Sequence, residues 1–330
     1  VRIVSSAPTR IDLAGGTYDI WPLYLFHEGA QTINAALSLR ATCTLTSRRD
    51  YRIGLVSDDT GERVEAAEAE SIDVTRLPLV SRLVRHFGAR GLDVHTRSGS
   101  PVGAGIAGSS ALNIAIIAAL AAWTGRTVDD EEMLQLAMNV EAQVIGVPTG
   151  VQDYRPALYG GVQAIELDES GVRRRSIGVE AEELTRRLVV AYTGASRQSG
   201  INNWDVMQRR INGDPGVRAA FDGIRDAAAG VRAGLETGDW ALVAAHLDAE
   251  WQCRKALAPG VTTPDIDRML ARARSAGATA GKVCGAGGGG CLFCLVPPER
   301  QNAVADALDA EGARVLQAGI EPQGLQVERA

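Results

Sequence analysis

The feature that most limits what this 330-residue chain can become is Pro101-Val-Gly-Ala-Gly-Ile-Ala-Gly-Ser-Ser-Ala-Leu112, which runs straight into apolar residues as far as Trp123. Glycine lets a backbone take positive φ and approach a ligand closely. Residues Ala111 to Trp123 are long enough for a buried helix, and Gly125 is placed to stop it. The stretch therefore reads as a tight loop delivering free N–H groups at a helix N-terminus, a setting that favours phosphate. A glycine turn ahead of a core helix would look the same in isolation. So would part of an NAD-type dinucleotide motif: Gly103, Gly105 and Gly108 satisfy G-x-G-x-x-G, a strand at Leu92 to Thr96 precedes them, and Asp129 follows at a suitable distance. That second reading accounts for neither the Ser109-Ser110 pair nor another glycine-rich loop far downstream. No Gly-Lys-Ser/Thr follows, which excludes a Walker A loop.

Charge narrows the partners. A net charge of −6 argues against nucleic acid or an anionic membrane surface as the main partner. Among the basic residues only Lys255 and Lys282 are lysines, so any chemistry that requires a lysine has two candidates. Cys43, Cys253, Cys284, Cys291 and Cys294 form an odd, scattered set that fits a reducing cytoplasm. Cys291 and Cys294 have C-x-x-C spacing, but in a strand that spacing puts them on opposite faces and favours core filling. Valine at position 1 points to a trimmed or incomplete start.

Along the chain, strand-like segments dominate before the first long helix, so the fold class is α+β and not the regular alternation of a dinucleotide-binding domain. Near the start, Arg10 lies within strand reach of Asp12 on one face. The turn at Gly15-Gly16 then brings Thr17 and Asp19 into a loop suited to a polyol and a phosphate together. A helix from Thr127 to Ile145 carries Glu141 late in its run, where a carboxylate opposes the helix dipole. Gly146-Val-Pro-Thr-Gly-Val-Gln-Asp153 follows, and a carboxylate displayed after a Gly/Pro loop suits a general base or a metal contact. Three adjacent arginines, Arg173 to Arg175, read as a solvated strand edge. Finally, positions 285 to 290 hold five glycines in six residues, more than a hairpin needs, which indicates close approach to a ligand or another loop.

Three of these segments together resemble the GHMP kinase superfamily: Ala7-Pro-Thr-Arg-Ile-Asp-Leu-Ala-Gly-Gly16, Pro101 to Ala111, and Lys282-Val-Cys-Gly-Ala-Gly-Gly-Gly-Gly290. The second departs mildly, with Ile106-Ala107 where the family commonly has Leu-Gly. The resemblance implies two α+β domains, 1–185 similar to a ribosomal S5 second domain and 186–330 similar to ferredoxin, with the site between them. It implies an ATP- and Mg²⁺-dependent small-molecule kinase, a monomer or homodimer. Pro101, Gly103, Ala104, Gly105, Ile106, Ala107, Gly108, Ser109 and Ser110 would wrap the ATP phosphates. Ser110 and Glu141 would hold Mg²⁺, Asp153 would take the acceptor proton, and Arg10 would steady transferred charge. On the acceptor side the same likeness places Gly16, Thr17, Asp19, Gly287 and Gly288, with Arg155 and Arg197 as the nearest cations for a substrate phosphate. Ala14-Gly-Gly-Thr-Tyr-Asp19 and Gln152-Asp153 look most like the heptose kinase and fucokinase branch, whose members phosphorylate sugars, commonly at the anomeric hydroxyl.

Overall fold

Residues 1–195 and 201–329 are described by a computed structural model. The first sheet is built from β1 (Arg2–Ala14), β2 (Gln31–Ser47), β3 (Ile53–Ser57), β4 (Arg63–Ala66), β5 (Leu92–Arg97), β6 (Val162–Asp168) and β7 (Gly171–Ser176). The second contains β8 (Leu188–Tyr192), β9 (Ala280–Val283), β10 (Cys291–Leu295) and β11 (Arg314–Leu316). The last strand, β12 (Gln326–Arg329), returns to pair with β1 in the first sheet. A division at residue 185 therefore does not follow the sheets at the C-terminus, because the chain end adds its backbone hydrogen bonds to the N-terminal half.

All recorded pairings are antiparallel except β3 with β5. A dinucleotide-binding domain would need a parallel core, so that alternative falls here. The long strand β2 changes neighbour midway, pairing with β6 over Gln31 to Ala35 and with β5 over Thr42 to Ser47. In β10 the period of two splits the cysteines as expected: Cys291 joins one core cluster with Phe293, and Cys294 joins another with Leu292.

The helices are α1 (Pro78–Phe87), α2 (Gly108–Thr124), α3 (Asp130–Ile145), α4 (Tyr154–Tyr159), α5 (Ala181–Thr185), α6 (Ile201–Ile211), α7 (Pro215–Thr237), α8 (Trp240–Leu257), α9 (Pro264–Ala276) and α10 (Gln301–Ala310). Apolar on nearly every side, α2 is buried between β1, β2, α1 and α3. Asp129 caps α3 by accepting from the Glu132 N–H, a structural role in place of ribose binding. One core cluster holds Ile11 and Ile33 of the first sheet with Val190 and Phe293 of the second, so the site lies over a continuous interior. No helix among the described residues is long and apolar enough to cross a membrane.

Candidate active site

The loop before α2 bends through left-handed backbone at Gly103 (φ 70°), Gly105 (φ 72°) and Ala107 (φ 58°). Among the described residues no side chain caps the helix, and the first-turn N–H groups of Gly108, Ser109 and Ser110 have no internal acceptor. Pro101, Gly103, Ala104, Gly105, Ala107, Gly108, Ser109 and Ser110 all line a cavity of about 360 Å³. Ile106 differs from the expectation. Its side chain is wholly buried in the core beneath, and only its carbonyl serves the site, accepting from the Arg10 N–H at 3.0 Å.

The glycine run at 285–290 is used mainly against this loop. A Cβ at Gly290 would lie 2.6 Å from the Ala104 carbonyl oxygen, and the Cys291 N–H donates to that same oxygen at 2.6 Å. Gly285 and Ala286 reach the cavity. Gly287 and Gly288, expected on the substrate side, instead turn toward Gly260 and Val261; a Cβ at Gly287 would meet the Val261 carbonyl at 2.2 Å. Packing against that turn, not ligand approach, requires those two glycines.

Beside the first turn of α2, Ser109 Oγ and Ser110 Oγ donate to the two oxygens of Glu141 at 2.5 and 2.8 Å. Burial pushes the Glu141 carboxyl above its ordinary value, and hydrogen bonds from Ser109, Tyr154 and Ser110 oppose the rise.

Across the cavity, Arg10 Nε and Nη2 donate to Asp153 Oδ1 at 3.0 and 2.5 Å, and Nη1 donates to the Gly105 carbonyl at 3.0 Å. One guanidinium thus joins the glycine loop to the acid. Burial by itself would lower the Arg10 pKa; Asp153 and Asp12 outweigh it and hold the group charged. Behind Arg10 is a dry ion cluster that the sequence analysis did not assemble. Asp12 lies 3.3 Å from Lys282 Nζ and 3.9 Å from Arg254 Nη2, and accepts from the Gly285 N–H at 2.8 Å. Glu250 completes it, 2.9 Å from Lys282 Nζ and 2.5 Å from Arg254 Nη2. A signal was present in α8, where Val243, Leu247, Glu250, Arg254 and Leu257 fall on one stripe at helical spacing. Two charges on an otherwise apolar stripe are a buried pair.

Arg254 also donates to the Gly16 carbonyl at 3.0 Å and to Thr17 Oγ1 at 3.4 Å, fixing the turn that leads to Asp19. A Cβ at Gly16 would crowd Asp12 Oδ2 at 2.7 Å. Gly16, Thr17 and Asp19 all reach the cavity, as expected. Asp19 Oδ2 accepts from the Gln152 N–H at 2.9 Å, while Asp19 Oδ1 and Gln152 Oε1 are buried acceptors with no partner among the described residues. Burial, then the Asp153 charge, pushes the Asp19 carboxyl up to about 7.

Residues 75–161 match the model of the GHMP kinases N terminal domain, and residues 231–314 match that of the GHMP kinases C terminal domain. The chain belongs to the GHMP kinases. It is 29% identical to the D-glycero-alpha-D-manno-heptose 7-phosphate kinase of Campylobacter jejuni, over 98% of each chain. It is also 29% identical to the mevalonate kinase of Archaeoglobus fulgidus, over 95% of this chain and 99% of that one. Its fold superposes on a D-glycero-D-manno-heptose 1-phosphate kinase from Bacteriodes thetaiotaomicron with a TM-score of 0.79, at 24% identity and 99% coverage of each chain.

In this GHMP kinase the metal question turns on oxygen donors. The described residues contain no cluster of three or more His, Cys, Asp or Glu side chains able to hold an ion alone. One carboxylate with two hydroxyls beside a glycine loop is nonetheless donor chemistry that suits Mg²⁺, which takes few protein ligands and completes its shell with phosphate and water. Arg155 does not line the cavity that Arg10 and Asp153 share. It is buried, paired with Glu131 at 3.2 Å, and faces a neighbouring cavity. Arg197 lies outside the described residues. The segment Thr193–Trp204, which no sequence signal assigned, enters α6 at Ile201, and Asn203 lines the reaction cavity.

Proposed function

We propose that this GHMP kinase transfers the γ-phosphoryl group of ATP, bound with Mg²⁺, to a sugar hydroxyl. The anomeric hydroxyl of a heptose phosphate is the acceptor that the kinship with the Campylobacter enzyme favours. The single observation carrying this reading is that Arg10 is held between Asp153 and the Gly105 carbonyl, so acid and phosphate loop share one guanidinium. Phosphoryl transfer asks a protein for position and charge stabilisation more than for covalent chemistry. The open N–H groups at the start of α2 would take the triphosphate, and Ser110 with Glu141 would hold the metal, which would neutralise charge on the phosphate oxygens. Asp153 orients the attacking hydroxyl and receives its proton, while Arg10 stays charged and faces the group in transit. Asp19 Oδ1 and Gln152 Oε1, two acceptors without donors among the described residues, suit the remaining hydroxyls of a sugar.

The test is ADP release from Mg-ATP across a panel of aldoses, heptoses and their phosphates, with ³¹P NMR locating the new ester. A new phosphate at the anomeric carbon is the expected result. Turnover of mevalonate with no sugar turned over would replace this reading by that of the other relatives.

A further inference from the structure

Beside the reaction cavity lies a second one, of about 350 Å³, which shares Asp19, Thr149 and Tyr154 with it as a common wall. We propose that this second cavity receives the far end of the acceptor, and that Arg155 reads a phosphomonoester carried there. The inference rests on the sugar-kinase reading above and adds where the acceptor's tail lies and what it bears.

Chain geometry supplies the first argument. Asp153 and Arg155 are two residues apart where α4 begins, and residues two apart on a helix face different sides. Asp153 lines the reaction cavity and Arg155 lines its neighbour. The same turn thus offers an acid to one end of a ligand and a cation to the other.

The state of Arg155 supplies the second. Its residue exposure is 5%, yet among the described residues its charge is met by a single carboxylate, that of Glu131, whose side chain is 72% exposed. The contacts are long, 3.2 and 3.3 Å, and Nε is buried with no partner among the described residues. A buried guanidinium is stable when its donors are filled, and this one is held by a carboxylate that water competes for. The planar fork of arginine matches a phosphate bidentately, so a phosphomonoester completes what Glu131 leaves open. Trp21, Tyr24 and Met138 give the rest of the wall an apolar character suited to a carbon skeleton between two polar ends.

The experiment compares a sugar acceptor with its phosphomonoester at the end away from the reacting hydroxyl, by kcat/KM, in the wild type, Arg155→Gln and Glu131→Gln. The wild type is expected to prefer the phosphorylated acceptor. Arg155→Gln should cut that preference about tenfold or more, the scale of a lost charge-assisted hydrogen bond. Glu131→Gln should raise it by removing the competing carboxylate, and it carries the test if Arg155→Gln does not fold. An equal effect of Arg155→Gln on both acceptors, or an unchanged preference in Glu131→Gln, overturns the proposal. Inorganic phosphate added with the plain sugar distinguishes a separate anion: activation that Arg155→Gln abolishes would assign the cavity to a free effector and refute the tail. Sugar turnover with no preference for the phosphorylated form sinks this inference alone. Absence of turnover with every sugar sinks the functional reading and this inference with it.

Discussion

Lys282 Nζ stands 3.3 Å from Asp12 Oδ2, with both side chains wholly buried. The pair is the centre of a cluster in which Arg10, Arg254 and Lys282 balance Asp12, Glu250 and Asp153. Only Asp153 of the six is substantially open to the cavity, its side chain 34% exposed. The cluster links β1, α8 and β9, so Arg10, at the wall of the cavity, is positioned by charges from both halves of the chain.

Removing one member should therefore cost far more than a surface ion pair would. Lys282→Met leaves Asp12 and Glu250 short of a cation in the dry interior, and a loss of about 3–5 kcal/mol is expected. Urea unfolding would measure it. The double variant Lys282→Met/Glu250→Gln should recover part of that loss because one orphaned charge goes with its partner. A single variant as stable as the wild type would show that water reaches the cluster.

Asp19 gives the site a pH dependence near neutrality. Burial, then the Asp153 charge, pushes its carboxyl up from the ordinary 3.8 to about 7 in the folded protein. The sign follows from linkage: its contribution to stability is fully present below pH 3.8 and is lost as pH rises through about 7. Acceptor binding should run the other way, since an ionised carboxylate accepts a hydroxyl proton more strongly than a neutral one. KM for the acceptor is expected to fall as pH rises through about 7, and Asp19→Asn should remove that inflection. A profile unchanged in Asp19→Asn would assign the titration to another group.

Much of this arrangement was legible because short-range rules decide it. The glycine-serine stretch had to be a loop at a helix start, and Ser109, Ser110 and the loop glycines line the cavity accordingly. Glu141 stands out because a carboxylate late in a helix opposes the dipole, and its explanation is the serine pair it accepts from. What escaped depends on distant contacts. Nothing local in Gly287 and Gly288 tells approach to a ligand from approach to Val261. The return of β12 to β1 is equally invisible, since its residues are exposed and carry no core pattern. Arg155 and Asp153 are neighbours in sequence, and only the cavity walls show that they serve different spaces.

Ala107 holds a conformation that glycine would adopt without strain, φ 58° and ψ 36° at the start of α2. A left-handed alanine costs about 1–2 kcal/mol. Glycine there would give back roughly 0.5–1 kcal/mol through the greater freedom of the unfolded chain. Ala107→Gly is therefore expected to leave stability unchanged or raise it by up to about 1.5 kcal/mol, read as a shift in the urea midpoint. Clear destabilisation would mean that the alanine methyl makes packing contacts worth more than the strain.

Asp153→Asn tests the assignment of the base with the least disturbance, because the amide keeps the size of the side chain and one oxygen for Arg10. The proton acceptor is lost, so kcat should fall about 10²-fold or more, the usual scale for a positioned base. KM for ATP should move little. On the proposed reading the triphosphate would be held by the loop and the start of α2, and Arg10 remains tied to the Gly105 carbonyl from the other side of its guanidinium. A variant that raised KM for ATP and kept kcat would make Asp153 an anchor for Arg10 and the loop, with the proton taken elsewhere. Near wild-type kinetics in both terms would remove it from the mechanism.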